Sequence, residues 1–344
     1  MNVRLVEETR PSRQPRGAAT APRFDLALSE NPFPPLPSVL RAMHAELAQA
    51  NRYPEFLPDR LPRLIAGHLG VSADQIVVGA GATGVALQII QSLTSAGAGI
   101  VYGAPTFDGY PIMAEMTGLD AVPVPLTARG DQDLWALARA VDKRTGLVVV
   151  CRPHNPTGTV VTAGQLAAFL RTVPARVPVI LDEAYVEFLD AAAHIDPGAL
   201  LRKHANLLFL RTFSKAYGLA GLRIGYAFGR PELMARVRKL QLPFGVSSTA
   251  AAAVAASYAA APELAARTLR ITAAREALRT ALRRRGIEVP RSQANFLFLP
   301  GPGVATALRR AGIAAKAYPD GSARISVGDP DADQAVLRAL EGLR

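Results

Sequence analysis

Between residues 75 and 228 the chain repeats one arrangement seven times: a short apolar run, closed by glycine, proline or polar residues, with helical spacing in the gaps. The runs fall at 75–78, 99–102, 121–124, 147–151, 177–181, 207–210 and 223–228. Between them Val85, Ile89 and Leu93 share one helical face, as do Leu134, Leu137 and Val141, and Leu166, Phe169 and Leu170. Continuously apolar strands alternating with amphipathic helices predict an α/β domain built on one large, mainly parallel, seven-stranded sheet in a three-layer arrangement.

After Pro231 the pattern changes. Long Ala- and Arg-rich helices are expected over 233–240, 247–260 and 262–285. A smaller α+β unit follows, with strands at 295–299, 313–317 and 323–327 and a closing helix over 331–343. A helix beginning near Pro37, with Val39, Leu40, Met43 and Leu47 on one face, should pack against this unit or against a partner subunit. The expected organisation is a flexible tail (1–23), an arm with its helix (24–50), a large domain (51–245) and a small C-terminal domain (246–344). A length of 344 residues suits two domains and a sizeable core.

Composition narrows the function classes. An apolar fraction of 49% with 19% charged residues argues against disorder, and the Ala-rich stretch 249–261 is too short and too weakly apolar to span a bilayer. The net charge of +11 raises the question of nucleic acid. Yet the arginines are dispersed between the tail (Arg10, Arg13, Arg16, Arg23) and one helix (Arg275, Arg279, Arg283, Arg284, Arg285), where a solvated face explains them. No nucleic-acid or membrane partner is expected. The lone Cys151 ends a strand, reads as a buried thiol and suits a reducing cytoplasm.

In open α/β sheets ligands bind beyond the carboxyl ends of the strands, so the residues after each run carry the information. Those turns hold Gly79, Gly81, Ala82, Thr83 and Gly84; Phe107; Arg152, His154 and Asn155; Asp182 and Tyr185; and Thr212, Ser214 and Lys215. The spacing of Gly79, Gly81 and Gly84 matches a dinucleotide fingerprint, but the next strand ends at Pro105 without the acid that would hold a ribose. A phosphate at the helix N-terminus remains the better reading of that loop. Asp182 ends a buried strand, where an ionised carboxylate needs a partner such as a cationic ring nitrogen. Tyr185 and Asn155 offer donors to a phenolate oxygen, Phe107 offers a flat face, and Lys215 offers an amine for an imine with an aldehyde cofactor. Taken singly, each also has a structural reading: a helix cap for Asp182, an Asx-turn before Pro156 for Asn155, and packed core for the two rings.

Together these residues resemble the fold type I pyridoxal-phosphate (PLP) aminotransferases, class I/II, in the branch of the histidinol-phosphate aminotransferases and their aromatic relatives. The resemblance covers nearly the whole chain: Ser29 to Phe33, Arg52 to Pro54, His154 to Gly158, Asp182 to Tyr185, Ser214 with Lys215, Ala294 to Phe296 and Arg324 to Gly328. Motif details, including those at 34–38, 211–217, 242–244 and 292–296, are closer to the aromatic aminotransferases. The resemblance implies that Lys215 forms the imine and shuttles the substrate proton, that Asp182 keeps the ring nitrogen protonated, and that Tyr185 and Asn155 bind the ring oxygen. It further implies stacking by Phe107, a phosphate site at Gly81, Ala82, Thr83, Thr212, Ser214 and Arg223, and a homodimer in which Tyr53 reaches the neighbouring subunit's cofactor. Arg324, Lys316, Asn31, Phe33 and Asn155 are the implied substrate-binding residues, and no metal site is assigned. The implied reaction exchanges an amino group between an aromatic L-amino acid and a 2-oxo acid such as 2-oxoglutarate. Histidinol phosphate as substrate, a dedicated biosynthetic pathway or a decarboxylase on the same scaffold are the alternatives. Three departures bear on substrate: Lys316 where relatives carry arginine, and Arg152 and His154 in the turn before Asn155.

Overall fold

The computed structural model describes residues 22–343, so most of the expected tail lies outside the described residues. Its strands are β1 (Phe24–Asp25), β2 (Ile76–Ala80), β3 (Gly99–Ala104), β4 (Asp120–Pro125), β5 (Thr145–Cys151), β6 (Val179–Asp182), β7 (Leu207–Thr212), β8 (Ile224–Gly229), β9 (Phe296–Leu299), β10 (Ile313–Ala314), β11 (Lys316–Ala317) and β12 (Ala323–Ser326). The seven expected runs form one sheet in the order β2-β8-β7-β6-β5-β3-β4. All neighbours pair parallel except β8, which runs against both β2 and β7.

Physical chemistry accounts for that order at its edge and its centre. β4 carries Pro123 and Pro125, which cannot donate to a ladder, and it lies at an edge with one partner. The central strands are covered on both faces. Along β5, Val148 and Val150 enter one apolar core while Leu147, Val149 and Cys151 enter the other, which makes the molecule three-layered here. Helix 81–93 buries Val85, Ile89 and Ile90 in the second core.

Three expectations need correction. The run 313–317 is not one strand: β10 pairs parallel with β1, whereas β11 pairs antiparallel with β12, and Ala315 is the corner between them. Each pairing is two residues long, too short to leave a period in the sequence. Strand β1 was missed for the same reason. The arginines of helix 261–284 are not all solvated: Arg275 is buried and donates to the Ala294 carbonyl at 2.9 Å, and Arg279 Nε donates to the carbonyls of Val289 and Pro290. Of the five arginines named for its solvated face, Arg283, Arg284 and Arg285 are exposed. The arm helix 37–47 packs on helix 248–259. Among the described residues no helix is long and apolar enough to cross a membrane.

Candidate active site

The carboxyl ends of β2, β3, β5, β6 and β7 meet at one edge of the sheet. Because β8 runs the other way, its first residue enters at that same edge, with Arg223 directly before it. A cleft of about 760 Å³ opens there, lined by Ala82, Thr83, Phe107, Asn155, Asp182, Tyr185, Thr212, Ser214, Lys215, Arg223, Lys316 and Arg324 among others.

One end of the cleft is a small polar cradle. Helix 81–93 starts without a side-chain cap, so its first N–H groups are free to meet an anion. Arg223 bends over this start, donating to the Ala220 carbonyl at 2.8 Å with Nη1 3.5 Å from Ser214 Oγ. Thr212 Oγ1 lies 2.9 Å from the same Ser214 oxygen. Glycine is called for twice, by the positive φ at Gly81 and by the backbone contact at Gly225. A Cβ at Gly81, whose φ is +73°, would stand 2.2 Å from Arg223 Nη2, and one at Gly225 would stand 2.3 Å from the Ala82 nitrogen.

Asp182 ends β6, 8% exposed, with its oxygens separately engaged. Tyr110 donates to Oδ2 at 2.6 Å and the Ala184 N–H donates to Oδ1 at 3.0 Å. Burial raises its carboxyl above the ordinary range, while the Tyr110 bond pulls it back. The neighbouring turn is braced by a buried ion pair in which Arg211 Nε and Nη2 donate to Glu183 Oε2 at 2.9 and 2.7 Å. Gln132 clasps the end of β5, donating to the Cys151 carbonyl and accepting from its N–H.

Lys215 follows β7 in a turn held from outside. Asn31 Nδ2 donates to the backbone carbonyls of Lys215 and Ala216 at 3.1 and 3.0 Å. Lys215 Nζ donates to the Leu28 carbonyl and lies 5.8 Å from the Tyr185 ring centre. Burial, and then the Arg324 charge, lowers its ammonium from the usual 10.5 to about 8. Tyr185 is pushed up to about 12, chiefly by burial with Arg324 opposing.

Arg324 is buried on β12, and its partners are neutral: Nη1 donates to Asn155 Oδ1 at 2.6 Å and Nη2 to the Ala27 carbonyl. Its Nε has no partner, and no carboxylate pairs with it among the described residues. A buried guanidinium without an acid has the geometry to receive a planar anion.

The family described as Aminotransferase class I and II matches residues 22–340. The chain belongs to that family. It is similar to the aromatic amino acid aminotransferase of Streptomyces avermitilis, 38% identical over 96% of this chain and 93% of that protein. It is also similar to that of Cutibacterium acnes, 42% identical over 90% of each. Among solved structures it resembles histidinol-phosphate aminotransferase from Sinorhizobium meliloti in complex with pyridoxal-5'-phosphate, with 29% identity, a TM-score of 0.86 and coverage of 93% and 90% of the two chains.

Set against this family, the sequence-derived residues divide. Gly81, Ala82, Thr83, Phe107, Asn155, Asp182, Tyr185, Thr212, Ser214, Lys215, Arg223, Lys316 and Arg324 lie in or directly at the cleft. Asn31 does not line it, because its amide is spent on the Lys215 turn. Phe33 lies away from it under Arg267 and Arg270, the latter 4.3 Å from the ring centre. Arg152 and His154 are turned away too: Arg152 donates to the carbonyls of Val161 and Ala193, and His154 Nδ1 meets Thr157 Oγ1 at 3.0 Å. Burial lowers His154 to about 3, so the ring is neutral. Both belong to the packing beneath Asn155, not to the cleft. Tyr53 is 84% exposed and stacks near Phe244, apart from this chain's own cleft. Sequence reasoning missed Tyr110, Gln132 and the Glu183–Arg211 pair. Tyr110 was within reach of it, three residues after Phe107 in the first turn of helix 109–117, where its ring meets Phe107 edge-on.

Proposed function

We propose that this chain is a PLP-dependent aminotransferase that exchanges an amino group between an aromatic L-amino acid and a 2-oxo acid such as 2-oxoglutarate. The observation that carries the reading is the convergence on one cleft of a depressed-pKa lysine, a buried carboxylate and an anion cradle at the uncapped start of helix 81–93, entered through Gly81 at positive φ. Those features fit PLP: Ala82, Thr83, Thr212, Ser214 and Arg223 would hold its phosphate, Asp182 its ring nitrogen, Tyr185 and Asn155 its ring oxygen, and Phe107 its face. Bound there, PLP supplies the electron sink that lets the amino acid's α-hydrogen leave as a proton.

The chain's own residues do the rest. Arg324 binds the substrate α-carboxylate through its fork, which fixes the α-carbon near Lys215. The Lys215 amine, partly neutral near pH 8, takes and returns the proton at that carbon. Asp182 keeps a proton on the ring nitrogen, and the Tyr110 hydrogen bond favours the ionised carboxylate that this task needs. Aromatic side chains are supported by the curated relatives and by the rings of Phe107, Tyr110 and Tyr318 around the cleft. The exposed cluster of Tyr53, Phe56 and Phe244 supports a homodimer in which Tyr53 serves the neighbouring site. The test is an assay of PLP-loaded protein with L-phenylalanine and 2-oxoglutarate: phenylpyruvate and glutamate should form together, and Lys215→Ala should stop both.

A further inference from the structure

We propose that Asp108 sets substrate choice by masking the charge of Lys316, so that of the facing cations Lys316 and Arg324 only Arg324 lacks a carboxylate partner among the described residues. The proposal rests on the reading of the cleft as an amino-acid site. Lys316 and Arg324 stand directly opposite each other in the antiparallel β11–β12 ladder, which puts both side chains on one face, about 5 Å apart at Cβ. Both line the cleft, so a substrate meets two positive groups side by side. Their partners differ in kind. Among the described residues Arg324 bonds only to the neutral oxygens of Asn155 and Ala27 and keeps its charge for an incoming carboxylate. Lys316 Nζ bonds to the Asp108 carboxylate, which comes from the opposite wall, between Phe107 and helix 109–117.

The consequence for selectivity follows from charge count. A substrate with a neutral side chain carries one carboxylate, which Arg324 satisfies. A substrate with a second carboxylate must draw Lys316 away from Asp108 and then lie beside the released aspartate. Each step costs electrostatic free energy that the neutral substrate does not meet. Lys316 and Asp108 are 34% and 57% exposed, so water screens the pair and it can open. Acidic partners are therefore disfavoured by a modest factor and still accepted, as an acidic 2-oxo acid acceptor requires.

The test compares two unreactive ligands on the PLP-loaded protein, glutarate with two carboxylates and 3-phenylpropanoate with one, by calorimetric titration. Asp108→Asn keeps the shape and removes the negative charge. The ratio of glutarate to 3-phenylpropanoate affinity should rise at least threefold, and it should rise less than threefold when the same change is made in a Lys316→Gln background. A rise of less than threefold in the Asp108→Asn protein overturns the proposal. So does a threefold or greater rise that persists without Lys316, since the mask would then have nothing to cover. Failure of the protein to transfer an amino group from phenylalanine would instead remove the functional reading and leave the affinity ratio measurable.

Discussion

At the scale of single residues the chemistry turns on how two buried groups are held near useful protonation states. Asp182 depends on Tyr110, because burial raises its carboxyl above the ordinary range and the Tyr110 hydrogen bond lowers it again. Tyr110→Phe removes the donor and leaves Oδ2 with only the Cys151 thiol, 4.0 Å away. A hydrogen bond to a charged group contributes about 1.5–3 kcal/mol, so PLP affinity should fall by roughly tenfold or more, read by equilibrium titration. Lys215 carries a pH prediction. Its folded value is lowered to about 8, and the neutral amine is the reactive form, so the rate at which cofactor-free protein captures PLP should rise with pH through a midpoint near 8 and level off above it. An unperturbed lysine would still be rising near 10.5. Residue types and order were legible in the sequence because each chemical role needs a particular side chain. Side-chain direction was not. Asn31, Phe33, Arg152 and His154 all sit in motifs of the site, and all four spend their polar or aromatic groups outside the cleft, on neighbouring backbone, a threonine hydroxyl or arginine.

At the scale of elements the site exists because seven strands finish, or in the case of β8 begin, at a common edge. Six of those strands could be read from sequence since a strand covered on both faces must be apolar throughout; β4, a largely exposed edge strand, was read from its short apolar run alone. The two-residue strands β1, β10 and β11 carry no such signal, and only tertiary pairing defines them. The contact between helix 81–93 and β8 tolerates no added atom at Gly225. Gly225→Ala should therefore cost about 2 kcal/mol or more in urea unfolding and weaken PLP binding, since the clash is with backbone that cannot rotate away. The control is Gly67→Ala within helix 60–69. Its Cβ meets nothing within 4 Å, so it should stabilise by about 0.5–1 kcal/mol.

At the scale of the whole molecule, Tyr53, Phe56 and Phe244 lie on the surface, Tyr53 4.7 Å and Phe56 5.1 Å from the Phe244 ring, with Leu57 and Leu242 also exposed. If this face joins two copies, sedimentation will give twice the 36.4 kDa of the chain, and Phe56→Glu will shift it to the single-chain mass with loss of PLP retention. The account as a whole, from the sheet edge to the lysine, stands on one reaction. Its most direct test follows the nitrogen: PLP-loaded protein is given ¹⁵N-labelled L-phenylalanine and unlabelled 2-oxoglutarate, and the products are read by mass spectrometry. The account predicts ¹⁵N-labelled glutamate in equal amount to phenylpyruvate, and neither product with Lys215→Ala. Carbon dioxide released from phenylalanine, or glutamate that stays unlabelled, would contradict it.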